Sequence, residues 1–140
     1  MADVRPIIYL TVAEVERFNQ EILQRAGQPS ALLRERGLLE SAVQYPQTAA
    51  YYAGADLVTQ AALYMVGIAR NHPFVDGNKR TGYISGMTFL HLNGYVTVDA
   101  RLNDAELGVW LEQVVSRQLT FEVFVERLRQ RLAVTNHHEG

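Results

Sequence analysis

Apolar residues return at three- and four-residue steps along most of this chain, and the intervals between such runs are short. Val12, Val15, Phe18, Ile22 and Leu23 make one amphipathic helix, opened by a capping box of Thr11 with Glu14 and ending near Gly27. A second, shorter helix places Leu38, Leu39, Ala42 and Val43 on one face and is expected to stop at Pro46, since proline disfavours helix in the residue before it. The segment "DLVTQAALYMVGIAR", with Asp56 as N-cap, is apolar on nearly all sides, which in a globular chain means a helix buried at the centre of a bundle. "TGYISGMTFLHLNGY", from Thr81, continues as another apolar helix closed by Gly94. A helix from Asn103 to Ser116, with Asn103 as N-cap and Glu106 three residues on, and a last one opened by Thr120, with Phe121, Phe124, Val125 and Leu128 inward, complete the pattern. Only 6–11, "PIIYLT", and 95–99, "YVTVD", read as strands. The expectation is a single all-α domain of about six helices over residues 1–140, with at most a short strand pair, a core over about 7–132 and a polar tail at 133–140.

Composition narrows the function classes. Thirteen Lys and Arg against fifteen Asp and Glu give a net charge of −2, so no general field would hold a nucleic-acid backbone. No cysteine is present, which removes disulfides, thiolate nucleophiles and cysteine-bound zinc and points to the cytoplasm. Charges interrupt every longer apolar stretch, so no membrane span or signal sequence is expected. The histidine pair at 137 and 138 reads as part of a loose tail.

The chemistry concentrates between the two core helices, in "HPFVDGNKR" at 72–80. Pro73 bars helix at His72, and Asp76-Gly77 is a turn pair, so these polar groups fall on a loop feeding a helix N-terminus. Backbone N–H groups of Gly77, Asn78, Lys79 and Arg80 there lack intrahelical acceptors and face an anion together with the positive end of the helix dipole. Lys79 and Arg80 add full charge, and Gly77 permits a left-handed angle or close approach. A carboxylate beside a phosphate site repels it unless a cation bridges the two, which makes Asp76 a ligand for Mg²⁺. His72 offers an imidazole placed to take a proton from an attacking hydroxyl. Phe74 anchors the loop inward. Each residue also has a plainer reading: His72 as a helix cap, Asp76 as a turn former, Lys79 and Arg80 as solvated charges. Seven specified identities at about one in twenty each arise by chance in a given window on the order of once in 10⁹.

His72, Phe74, Asp76, Gly77, Asn78, Lys79 and Arg80 resemble the signature of the Fic/Doc proteins, and the lysine before the arginine, "GLLESAV" at 37–43 and "FLHLNGY" at 89–95 resemble its death-on-curing (Doc) toxin branch. The resemblance implies ATP with Mg²⁺, His72 as base, Asp76 as metal ligand and Gly77 to Arg80 as the phosphate cradle. Adenylyl-transferring members have glycine where Lys79 stands and a second arginine where this chain has Tyr83, and the Doc branch shares both departures. It therefore implies a kinase that moves the γ-phosphate to a protein Ser/Thr hydroxyl, on a translation factor such as elongation factor Tu, and thereby arrests translation. Nucleotidyl transfer to a protein hydroxyl and a noncatalytic binding module are the alternatives. The Doc branch further implies an antitoxin protein in trans. A substrate-holding flap would fall at 45–56, "YPQTAAYYAGAD", where Tyr51 and Tyr52 either line it or are ordinary half-buried aromatics.

Overall fold

The structure is a computed structural model that describes residues 5–29, 33–97 and 104–134. Six helices are present among them: α1 (Val12–Arg25), α2 (Arg36–Ala53), α3 (Leu57–Asn71), α4 (Asn78–Leu92), α5 (Asp104–Val115) and α6 (Phe121–Gln130). Two three-residue strands, β1 (Tyr95–Thr97) and β2 (Leu132–Val134), pair antiparallel with Tyr95 opposite Val134 and Thr97 opposite Leu132. The all-α expectation holds. None of these helices is long and apolar enough to cross a membrane.

α3 is the axis of the bundle and packs against α2, α4, α5 and α6. Its largely apolar circumference explains this: Val58, Ala61, Tyr64, Met65 and Ile68 are all at most 1% exposed, and a stripe through Thr59, Leu63 and Gly67 is partly open to solvent. Asp56 caps it by accepting from the Thr59 N–H at 2.9 Å, as the sequence indicates. The capping box of α1 is formed in both directions by Thr11 and Glu14.

α3 and α4 approach closely through glycine. A Cβ placed on Gly82 would lie 2.6 Å from the Met65 carbonyl oxygen, and one on Gly86 would lie 2.7 Å from the Ala61 carbonyl oxygen. Only hydrogen fits at either position. Their spacing of four residues puts both on the face of α4 turned to α3.

Several expectations are corrected. α2 does not stop at Pro46 but runs to Ala53, with Pro46 buried inside it. The lost main-chain bond costs about 3 kcal/mol in an isolated helix, and burial of the ring together with Leu39 and Ala42 on the same inward face offsets it. Residues 45–53 are therefore helix, not an extended flap, and Gly54 ends them in the left-handed region at φ 68°. α4 begins at Asn78, three residues before Thr81. Residues 6–11 lie outside any strand; the Ile8 main chain instead gives its N–H to Asn93 Oδ1 and takes a bond from Asn93 Nδ2, each at 2.9 Å. β1 covers 95–97 of the 95–99 expected, with 98 and 99 outside the described residues. β2 takes Ala133 and Val134 from the segment expected as tail. The Asn103 cap and the histidines at 137 and 138 lie outside the described residues. The last helix opens at Thr120, whose hydroxyl accepts from the Val123 N–H, with Phe124, Val125 and Leu128 buried.

Candidate active-site loop

The connection from α3 to α4 is built by its own sequence. His72 ends α3 in the left-handed conformation, φ 51° and ψ 57°, which turns the chain out of the helix ahead of Pro73. Phe74, 3% exposed, drops into the core. The Asn78 side chain then closes the loop on itself: Oδ1 accepts from the Phe74 N–H and Nδ2 donates to the Phe74 carbonyl, both at 2.9 Å. Asn78 is 8% exposed, so its side chain belongs to the frame of the loop and is not offered to a ligand.

A second strut comes from the segment ahead of α2. Arg34 and Glu35 N–H groups donate to the Pro73 carbonyl at 2.7 and 3.2 Å, and Leu33 bridges to Phe74. The Arg34 guanidinium donates from Nε to the His72 carbonyl at 2.8 Å and from Nη2 to the Asn71 carbonyl at 3.3 Å. A cation thus sits at the C-terminal end of α3, where the exposed carbonyls and the negative dipole end favour it. Arg70 bridges to the C-terminal end of α5, where its Nη2 donates to the Val114 carbonyl at 2.8 Å.

The turn at Asp76-Gly77 opens α4. Gly77 is the N-cap at φ 78°, and its N–H is engaged by the Asp76 carboxylate at 2.8 Å. This corrects the four-donor expectation: the N–H groups of Asn78, Lys79 and Arg80 have no acceptor among the described residues, while that of Gly77 does. Thr81 N–H returns to the Gly77 carbonyl and begins the helix ladder.

A cavity of about 310 Å³ is lined by His72, Val75, Asp76, Gly77, Asn78, Lys79 and Arg80. The loop therefore gathers an imidazole, a carboxylate, two cations and a helix N-terminus around one concavity. The His72, Asp76, Lys79 and Arg80 side chains are all exposed. Tyr51 and Tyr52 are not part of this cavity. They sit near the end of α2, 80% and 79% exposed, in an edge-to-face pair with centroids 4.7 Å apart, so the half-buried reading does not describe them.

Two residues that the sequence reading passed over touch this loop. Glu112 on α5 forms an ion pair with Lys79 Nζ. Asn19 on α1 is 1% exposed and donates from Nδ2 to the Asp76 carbonyl at 2.9 Å and to Thr81 Oγ1 at 3.1 Å. The one signal for Asn19 was its place between Val15 and Leu23 at four-residue steps, a polar side chain in an apolar stripe. Among the described residues no group of three or more His, Asp or Glu side chains is arranged to hold a metal unaided.

Residues 9–90 match the family described as Fic/DOC, which is more than half of the chain and includes the whole loop. The chain is similar to the protein named Toxin Doc of Mycolicibacterium smegmatis, 47% identical over 64 residues, covering 44% of this chain and 49% of that one. It is also similar to the protein named Protein kinase doc of Escherichia phage P1, 42% identical over 60 residues, covering 42% of this chain and 48% of that one. Each alignment thus spans about half the length of the relative. With residues 9–90 matched and the loop at 72–80 inside the match, the chain belongs to the Fic/Doc family.

Proposed function

We propose that the chain is a Doc-type toxin that acts as a protein kinase, moving the γ-phosphate of ATP to a Ser or Thr hydroxyl of a translation factor such as elongation factor Tu. The observation that carries this reading is that His72, Asp76, Lys79, Arg80 and the open N-terminus of α4 line one cavity. The names of the two relatives, one a toxin and one a protein kinase, support it.

The residues present suit ATP with Mg²⁺. Three unpaired N–H donors in the first turn of α4, with Lys79 and Arg80 beside them, match the acceptor-rich, anionic end of a triphosphate. About 310 Å³ lies at the small end of ligand cavities and suits the phosphates, not a whole nucleoside. Asp76 spends Oδ1 on the Gly77 N–H and keeps Oδ2, and a single carboxylate with phosphate oxygens is an ordinary Mg²⁺ environment. When bound, the nucleotide supplies the phosphoryl group and the ion offsets its charge.

The residues divide the remaining work. His72, exposed at the end of α3, takes the proton from the substrate hydroxyl as that oxygen attacks the γ-phosphorus and the bond to the ADP oxygen breaks. Lys79, Arg80 and the N–H groups of residues 78–80 hold the charge on the transferring group and on the departing diphosphate. Lysine in place of glycine at 79 and tyrosine in place of arginine at 83 favour this over nucleotidyl transfer. An antitoxin in trans covers the site, a reading that the name of the relative called Toxin Doc supports.

The test uses ATP labelled at the γ- or the α-phosphate, incubated with the protein, Mg²⁺ and a cell extract. Label from the γ-position on one protein supports the kinase; label from the α-position replaces it with nucleotidyl transfer. His72→Ala should lower the rate of labelling about 10²–10⁴-fold, and undiminished labelling would remove His72 from the reaction.

A further inference from the structure

Asn19 carries an unusual combination of burial and incomplete bonding. It is 1% exposed, its Nδ2 serves two acceptors, and its Oδ1 is buried with no partner among the described residues. The Asp76 carbonyl can only accept, so the amide nitrogen must face it, and the oxygen is thereby turned to a place without a donor. A buried unpaired carbonyl is costly. The core would be served better by leucine at this position, which follows Val15 and precedes Leu23 on the inward face of α1.

What the amide gains for that cost is a bridge across the turn. Asp76 lies just before α4 and Thr81 at the end of its first turn, and one Asn19 nitrogen holds both, from a helix 57 residues away in sequence from Asp76. Gly77 lies beneath the bridge. A Cβ there would stand 3.1 Å from Asn19 Nδ2 and 3.6 Å from Leu23 Cδ2. Gly77 is therefore required twice, by its φ of 78° and by the closeness of α1.

We infer that Asn19 is the positioning residue of the phosphate loop: its amide fixes the turn from Asp76 to Thr81, so that the N–H groups of 78–80 and the Asp76 carboxylate converge on one anion. This rests on the phosphate-binding reading of the cavity. Asn19 touches no reacting atom and acts through the backbone it holds. The preorganisation matters because ordering a loose turn at the moment of binding would subtract from affinity.

The experiment compares wild type, Asn19→Asp and Asn19→Leu. Asp keeps the shape but sets a carboxylate against the Asp76 carbonyl; Leu fills the space without a donor. Binding of magnesium tripolyphosphate and of Mg-ATP is measured by calorimetry, and amide hydrogen exchange is followed at the two hydrogen-bonded amides of residues 77–81, those of Gly77 and Thr81, and, for reference, in α3. Positioning predicts affinity lower on the order of tenfold in both variants, with faster exchange at 77–81 and α3 unchanged. A purely structural role predicts a lower melting temperature with the affinity and the 77–81 exchange of the folded protein unchanged, and that result overturns the inference. If wild type binds neither phosphate, the functional reading fails, while exchange at 77–81 still decides whether Asn19 holds the turn.

Discussion

Replacing Gly82 by alanine tests the packing on which the loop depends. The new Cβ would meet the Met65 carbonyl oxygen at 2.6 Å and the Met65 carbonyl carbon and Cα at 3.4 Å. Because these are main-chain atoms of the central helix at a fully buried residue, relief requires α4 to shift away from α3 by roughly half an ångström or more, a distance a packed interior resists. Overpacking of this kind costs about 1–3 kcal/mol, and alanine returns about 1 kcal/mol of helix propensity, so a net loss of about 1 kcal/mol is expected. With about 2.1 cal/mol/K of unfolding entropy per residue over 140 residues, that lowers Tm by about 3 °C. Gly67→Ala on α3 is the internal contrast. Its Cβ would touch Ala42 Cβ at 3.7 Å, an ordinary contact, so the propensity gain of about 1 kcal/mol should appear as a Tm about 3 °C higher. Thermal unfolding followed by circular dichroism reads both. A Gly82→Ala protein that melts at or above the wild-type temperature would show that α3 and α4 do not approach as described.

Three further outcomes follow from the charged residues. Burial by itself would raise the Asp56 carboxyl, but bonds from Arg129 and Thr59 outweigh it and hold it below the ordinary carboxylate value. Its stabilisation is present above the unfolded value and is lost as pH falls through the folded one, so Asp56→Asn should flatten the acid limb of stability against pH, and an unchanged limb would refute the pairing. Burial also pushes the Tyr64 phenol to about 12, so its contribution is complete below pH 10 and lost as pH rises through 12; Tyr64→Phe should melt lower near neutrality, by about 1–3 kcal/mol for the Leu10 N–H left unpaired, and show a shallower alkaline decline in denaturant titrations. Glu112→Gln frees Lys79 from an ion pair whose partners are both about half exposed, and a pair of that kind is worth about 0–1 kcal/mol. Tripolyphosphate should then bind up to about fivefold tighter at low ionic strength, with the gain fading as salt is added; weaker binding would mean that Glu112 orients Lys79 toward the ligand.

The loop was legible because its chemistry is local: seven of nine consecutive residues carry it, and Pro73, Asp76 and Gly77 dictate the turn by their own backbone preferences. The central place of α3 was legible from its largely apolar circumference. What escaped is what only tertiary contact decides. Pro46 was read by its intrinsic dislike of helix, and burial against the bundle prevailed. Leu132–Val134 is too short to announce itself as a strand and exists because Tyr95–Thr97 lies beside it. Asn19 and Glu112 reach the loop from α1 and α5, and no local pattern couples a residue of one helix to the turn between two others.

The Lys79–Glu112 pair has a consequence for how far the loop can be transplanted. The family match ends at residue 90, whereas the carboxylate that neutralises Lys79 stands at 112, on a helix that Arg70 secures through the Val114 carbonyl. A graft of 70–90 onto a foreign helical hairpin would carry the cations without their counterweight. Such a chimera would present a more cationic mouth than the parent and would take up anions with less discrimination between phosphate and other polyanions.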